Sequence, residues 1–411
     1  MIREEKKVFN SSIISMLFMV IFVGVGEKLA ERFIPLYLST LGAGAFIVGA
    51  LNAFDNVLSA LYSYPGGLLS EKYGYKRSLI FFTILAAFGF LIVVVFSSWW
   101  AVFIGSIFFI SWTAISLPAI MSLINDSVPK NRVVFGVSLH SLTRRFPMAL
   151  GPILGGTLIS YFGILKGIRM AFFIAFLLAM ISILIIYFFV KDSKKGNGVG
   201  VIVFSRFSSL FPSELKILLI SDILIRFCEQ LPYAFLAIWV CHNLGQSEFF
   251  FGWLTALEMF IAVLVYLPVA WFADRGNKKY FVVITFVFFT LFPITLFVSG
   301  KIFEVLNNSR LIILSLIFAF IIRGLKEFGE PTRKSMIMEL APADSKALSF
   351  GAYYMVRDVV VGLTALLSGV LWQKSPYLNF LVSSILGLIG TLIFAIYGKT
   401  RCNDSISSLK E

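Results

Sequence analysis

Nine acids and eight bases lie inside stretches that are otherwise almost wholly apolar. The acids are Glu27, Glu31, Asp55, Asp222, Glu229, Glu258, Glu327, Glu330 and Asp358, and the bases are Lys28, Arg32, Arg144, Arg145, Arg226, Arg323, Lys326 and Arg357. A carboxylate in such surroundings can load and release protons, because desolvation favours its neutral form and a nearby cation its charged form. A guanidinium there can hold an anionic group or neutralise an acid. Spacing orders several of them. Arg323 and Glu327, like Lys326 and Glu330, are four residues apart, and Asp222, Arg226 and Glu229 share one helical face. Asn52, Asp55, Ser59 and Tyr62 make a polar stripe. Each charge has two readings at this point, a role with solute or protons, or a structural ion pair.

Other chemistry is excluded by what the chain lacks. Cys228, Cys241 and Cys402 have no pairing or metal spacing, and His140 and His242 are the only histidines, so no zinc set can be assembled. No HExxH and no GxxxxGK[ST] occurs, which argues against an intramembrane zinc protease and against ATP as energy source. No metal, no cofactor and no enzymatic activity are expected.

The elements that must carry these charges are membrane helices. Hydrophobic residues make up 59% of the 411, charged residues 14%, and mean hydropathy is +0.91. A soluble domain would carry about a quarter charged residues. Twelve spans of the roughly 20 apolar residues that a bilayer requires can be placed. They run over 10–39, 43–69, 76–97, 99–125, 132–163, 167–190, 214–243, 247–273, 278–300, 309–330, 344–374 and 377–398. The runs are two to three times too long for β-barrel strands. MIREEKKVFNSS resembles the charged region of a signal peptide, but the apolar run behind it is long and lacks a cleavage site, so it is read as the first span.

The net charge of +13 is explained by topology rather than nucleic acid. With both ends cytoplasmic, 22 Lys and Arg, Arg333 among them, fall in inside segments, against five outside: Lys166, Arg169, Lys301, Arg310 and Lys374. That is the pattern of a multi-pass inner-membrane protein.

The hydrophilic break at 191–213 divides the spans six and six, predicting an N-terminal bundle 1–190, a cytoplasmic linker 191–213 and a C-terminal bundle 214–411 with a short tail. Val201, Phe204, Phe207, Leu210 and Phe211 suit a helix on the inner leaflet, and the glycines of the same segment suit a plain connector. The bundles repeat. At an offset of 203, Leu41-Gly42 falls on Leu244-Gly245, Gly49 on Gly252, Asp55 on Glu258, Pro65 on Pro268 and Glu71-Lys72 on Asp274-Arg275. At 213, Pro118 falls on Pro331, Asp126 on Glu339, Pro129 on Pro342 and Arg144 on Arg357. Six-helix halves in one orientation are parallel repeats.

Between spans two and three, Gly67, Leu69, Glu71, Lys72, Gly74, Lys76 and Arg77 form G-x-L-x-acid-K/R-x-G-x-K-R. This resembles the signature loop of the major facilitator superfamily (MFS), with Ala273–Lys279, including Asp274 and Arg275, as a shortened copy. GPILGG, with Gly151, Pro152, Gly155 and Gly156, resembles the span-five motif of that superfamily's drug–proton antiporters. Three features depart from the patterns. The signature acid is Glu71 rather than aspartate, span four (FIGSIFFISWTAISLPAIMSLI) has no arginine, and the span-eleven copy TALLSG has lost its proline.

The resemblance implies an all-α integral membrane fold of twelve transmembrane helices in two parallel six-helix repeats. It also implies that spans three, six, nine and twelve, which carry none of the seventeen charges named above, face lipid, and that the others line a central cavity. Glu71 would latch one end state against the N-terminus of span eleven, and Asp274 would do so against span five near Asn131. Gly66, Gly67 and Gly74 should let the chain turn sharply. The small residues of GPILGG should admit a neighbouring helix, and Pro152 should bend its own. Trp112, Trp239, Trp253 and Trp271 should lie near the centre, as ligand walls or as packing.

The function expected is proton-driven export of a small organic or amphiphilic molecule by a monomer, its partners being that solute, protons and the bilayer. The alternatives are a proton-coupled importer of an organic anion or sugar, with Arg144, Arg145, Arg226 or Arg323 holding the anion, and a sensor or lipid-handling protein on the same fold.

Overall fold

The computed structural model describes residues 11–109, 112, 116, 119–120, 123, 133–190, 210–273, 277–306, 308–342 and 346–399. Helices fill it, as apolar chain in lipid requires: only intrahelical bonds satisfy the backbone there. In order they are α1 (Ser11–Glu31), α2 (Ile34–Thr40), α3 (Ala45–Tyr73), α4 (Tyr75–Val95), α5 (Trp99–Phe109) and α6 (Val133–Phe189). After these come α7 (Ser213–Tyr233), a π-helical turn (Ile238–Asn243), α8 (Glu248–Ala273), α9 (Lys278–Leu306), α10 (Ser309–Leu325), α11 (Glu330–Leu340), α12 (Lys346–Lys374) and α13 (Pro376–Tyr397).

All twelve expected spans have a helical counterpart. Span one is α1 and α2 together, and seven of the runs are long and apolar enough to cross a bilayer, with Ala45–Ser59 and Trp99–Phe109 as shorter apolar helices. Span four is α5 followed by helical backbone at Trp112, Ser116, Ala119, Ile120 and Leu123. Spans five and six run on as α6, broken only where Gly163 adopts φ 76°. Span ten is shorter than expected. It ends at Leu325, and the chain restarts after Gly329 as the separate helix α11.

Turn chemistry sets the boundaries. Asn308 caps α10 by accepting from the backbone N–H of Arg310 at 3.0 Å and of Leu311 at 3.3 Å. Ser375 caps α13 the same way, with Pro376 in the first helical position. Gly42 and Gly245, matched by the repeat, both have positive φ, 83° and 63°, and each follows the end of a helix. The repeat thus preserves a left-handed residue that only glycine adopts without strain.

The signature loop is tighter than its three glycines predict. Gly66 and Gly67 lie within α3, and the whole turn into α4 is made by Gly74 at φ 82°. Ser78 Oγ donates to the Leu69 carbonyl at 3.0 Å across it, and Lys76 lies over the Tyr187 ring. Asp274 and Arg275, the copy of this loop, and residues 191–209 of the linker lie outside the described residues.

Two compact units result, one taking the chain to Val201 plus Ala237–Ala256, the other Ile202–Leu236 plus Leu257 onward. In the first, α1 lies along α6, and Phe90, Phe109 and Phe172 close the space between α4, α5 and α6 with ring centroids 5.2–6.1 Å apart. In the second, α13 packs on α7 and α9, where Thr290 and Thr391 hydroxyls meet at 3.2 Å and Phe286 touches Phe394. The helices expected to face lipid present exposed apolar rows: Phe81, Ile84, Phe88, Leu91 and Val95 on α4, and Leu381, Ile385, Leu388, Leu392 and Ile396 on α13.

GPILGG is a crossing point for two helices of the first unit. A Cβ on Gly151 would lie 2.6 Å from Lys28 Cβ, and one on Gly155 would overlap the Leu29 carbonyl of α1. Gly156 abuts the carbonyl of Glu248 at the start of α8, and Gly252 of α8 abuts that of Pro152. Backbone meets backbone on both sides, so no side chain can yield. Gly155→Val should therefore cost more than the ~1–3 kcal/mol typical of overpacking, seen as a lower Tm and reduced folded yield. Leu154→Val, at a side chain 40% exposed, should leave both nearly unchanged.

Candidate functional site

The buried charges form one cluster within each unit. In the second unit α7 supplies Asp222, Arg226 and Glu229, α8 Glu258, α10 Arg323, α11 Glu330 and Arg333, and α12 Arg357 and Asp358. Lys326 stands at the C-cap of α10, where the helix stops. Among these residues five acids meet five bases.

Asp222, 1% exposed, accepts from Arg333 and from the Tyr353 hydroxyl at 3.0 Å, with Arg357 at 3.6 Å and Arg226 at 3.8 Å. Arg333 forks onto both oxygens of Glu330, at 3.0 and 2.7 Å. Arg226 joins Glu229 at 2.7 Å to Glu330 at 3.4 Å. Lys326 continues the chain from Glu229 at 2.6 Å to Glu258 at 3.5 Å, and Arg323 closes it on Glu258 at 3.1 Å. Arg357 binds Asp358 through two nitrogens, at 2.8 and 2.7 Å. Aromatic rings face the cations: Phe289 under Arg226 and Lys326, Tyr354 under Arg357, and Tyr233, Phe292 and Phe320 around Arg323. Rings supply favourable quadrupole contact without adding charge.

The pattern alters the expected pairing. The break after Leu325 takes Lys326 off the helical course it would share with Glu330, so Lys326 turns to Glu229 and Glu258 while Glu330 binds Arg226 and Arg333. Arg333 is the residue the sequence reading missed. It was assigned to the basic inside loops, yet it is among the largest fully buried side chains. The available signal was Glu330 three positions before it, one helical turn away on a short polar helix.

The first unit has its own cluster. On α1, Lys28 binds Glu27 at 3.1 Å and also Glu31. Asp55 on α3 accepts from Ser59 Oγ at 3.3 Å and lies within electrostatic reach of Glu27, Lys28 and Glu31. Arg32 and Arg145 have partners of their own. Arg144 on α6 feels Glu27 and Glu31, but among the described residues it makes no hydrogen bond and no ion pair. It borders a pocket with Glu27, Lys28, Trp112, Ser116 and His140. Of the other tryptophans, Trp239 is buried and Trp253 is 41% exposed. The repeat-matched acids therefore differ in their setting. Glu258 is fully buried against two cations, while Asp55 is half-buried against a hydroxyl.

Removing one partner from a buried ionic network leaves its neighbours uncompensated, typically at ~3–5 kcal/mol. Arg333→Ala should accordingly lower the Tm and the folded yield sharply through Asp222 and Glu330. Combining it with Asp222→Asn and Glu330→Gln should recover much of the loss, as read by thermal unfolding of the purified variants. An Arg333→Ala protein as stable as wild type would refute the network's structural role.

Residues 16–216 and 218–404 match the family model of the Major Facilitator Superfamily. An MFS-type transporter of Methanocaldococcus jannaschii is 22% identical over 394 residues, covering 90% of each chain. One from Bacillus subtilis is 30% identical over 124 residues, covering 30% of this chain and 31% of the relative. Among solved structures, a POT family transporter in complex with 5-aminolevulinic acid superposes with TM-score 0.77 at 12% identity, over 96% of this chain and 98% of the other. The nucleoside transporter NupG does so with TM-score 0.77 at 13% identity, over 94% and 99%. Two helical units of membrane-crossing length, the parallel repeat and a family match along nearly the whole sequence agree, and the chain belongs to the Major Facilitator Superfamily.

Proposed function

We propose that this protein is a proton-driven secondary transporter that exports a small organic or amphiphilic molecule by alternating access. It would work as a monomer in the inner membrane, with residues 1–190 and 214–411 as its two bundles, 191–213 as a cytoplasmic linker and both termini cytoplasmic. The observation that carries this reading is the pair of repeat-matched carboxylates, Asp55 and Glu258, set in different electrostatic surroundings in the two units. In repeat-built transporters the coupling-ion sites lie near the bilayer midplane, where mid-span acids such as these would sit. The resemblance of GPILGG to the antiporter motif supports export. Its contacts with both α1 and α8 make it a place where helix motion would be felt.

A second reading, uptake of an organic anion with protons, is favoured by Arg144. An anion beside that guanidinium and a proton on Glu27 would stabilise one another, so the two would travel together. Neighbours on this fold carry different solutes, so the fold alone does not select between the readings.

Inverted vesicles carrying a pH gradient test the coupling and its direction. Wild type should accumulate solute when the gradient is imposed, and Asp55→Asn with Glu258→Gln should lose the response to the gradient. A double variant still driven, with unchanged pH dependence, removes both acids from the mechanism. Proton flux without solute dependence would instead favour the sensor or lipid-handling class.

The signature loop is proposed as a latch, with Glu71 and Asp274 each complementing a helix N-terminus at ~0.3–2 kcal/mol. Glu71→Gln with Asp274→Asn should slow turnover several-fold while changing solute affinity less. Equal transport rates for the double variant and wild type would dismiss the latch.

A further inference from the structure

The four span arginines that could hold an anionic group are separated by their surroundings. Arg226 is committed to Glu229 and Glu330, and Arg323 to Glu258. Arg145 has partners of its own and does not border the pocket. Arg144 borders it, and among the described residues it makes no hydrogen bond or ion pair. Arg144 is half-buried at the wall of that pocket, so its donors are open to an anion, which a guanidinium binds by charge-assisted hydrogen bonds.

The rest of the lining says what kind of anion would fit. Lys28 is already shared between Glu27 and Glu31, so it adds little free positive charge. Those two acids disfavour negative charge near them, so an anion that fits carries a single localised charge placed on Arg144 itself. Trp112 donates its indole N–H to Thr83 Oγ1 at 3.3 Å, so it offers the pocket ring surface rather than a donor. Val20, Ile120 and Met148 add apolar wall, and Ser116 and His140 add polar atoms.

We propose that this pocket is the solute subsite for a compact, singly charged organic acid, its carboxylate on Arg144 and its apolar body against Trp112. The proposal rests on the transporter reading and names the substrate class of that site.

The test uses the purified full-length protein in neutral detergent free of anionic lipid, so that lipid phosphate cannot occupy the site. Thermal unfolding is followed with benzoate, benzamide and benzylamine, three probes that share a ring and differ in charge. Benzoate at about 10 mM should raise the Tm by about 2 °C, and benzamide and benzylamine should not. Arg144→Gln should abolish the benzoate shift and Arg144→Lys should keep part of it. Should Arg144→Gln fail to fold, Trp112→Ala carries the test through a weaker benzoate shift. No benzoate shift in wild type, equal shifts with benzamide or benzylamine, or an undiminished benzoate shift in Arg144→Gln or Trp112→Ala overturns the assignment. Gradient-driven transport is measured separately in proteoliposomes. Transport that persists without benzoate selectivity removes the organic-acid assignment alone. Benzoate selectivity without gradient-driven transport keeps the site and removes the transporter reading.

Discussion

Charge held away from water must be neutralised within the protein, and the rest of this structure depends on that constraint. An isolated charge at mid-span costs at least ~2.5–3.5 kcal/mol, and the second unit places ten ionisable side chains in one region. They are tolerable there because acids and bases are equal in number and most share two partners. Helix ends are placed accordingly. The stop at Leu325 frees Lys326 to bridge Glu229 and Glu258, and the restart at Glu330 sets a carboxylate and Arg333 one turn apart.

The first unit sets its charges differently. On α1 Lys28 binds Glu27 and Glu31, and Arg144, which feels both acids, borders the pocket. A fully paired network ties helices together and resists change, whereas an unpaired group beside a cavity has something to gain from a ligand. The second unit is thus cross-linked by its charges, and the first places Arg144 at the wall of a pocket.

Helix packing follows a second constraint that polar chemistry does not supply. Lipid is as apolar as a leucine side chain, so close van der Waals contact must hold helices together. Glycines provide it at the crossings: Gly89 against Gly105 between α4 and α5, Gly387 against Cys228 and Gly390 against the Ser221 carbonyl between α13 and α7. GPILGG is the densest instance, with one face on α1 and the other on α8.

Local pattern was enough for much of this. Hydropathy over some twenty residues located every span, because the bilayer penalises each polar residue independently of its neighbours. That none of the seventeen intramembrane charges falls in spans three, six, nine and twelve foretold the exposed apolar rows on α4 and α13, and the offset of 203 aligned Gly42 with Gly245, which share a positive φ. What the sequence did not reveal is who pairs with whom. Arg333 reaches Asp222 across 111 positions, Arg226 reaches Glu330 across 104, and Lys326 reaches Glu229 across 97. No period or spacing encodes separations of that length. Gly66 and Gly67 likewise stayed helical while Gly74 alone made the turn, because neighbouring packing decides which permissive residue bends. Sequence therefore determined the helices and which of them can carry charge. Tertiary structure decided which charges pair and which side chains border the pocket, since pairing depends on distances that only the folded chain sets.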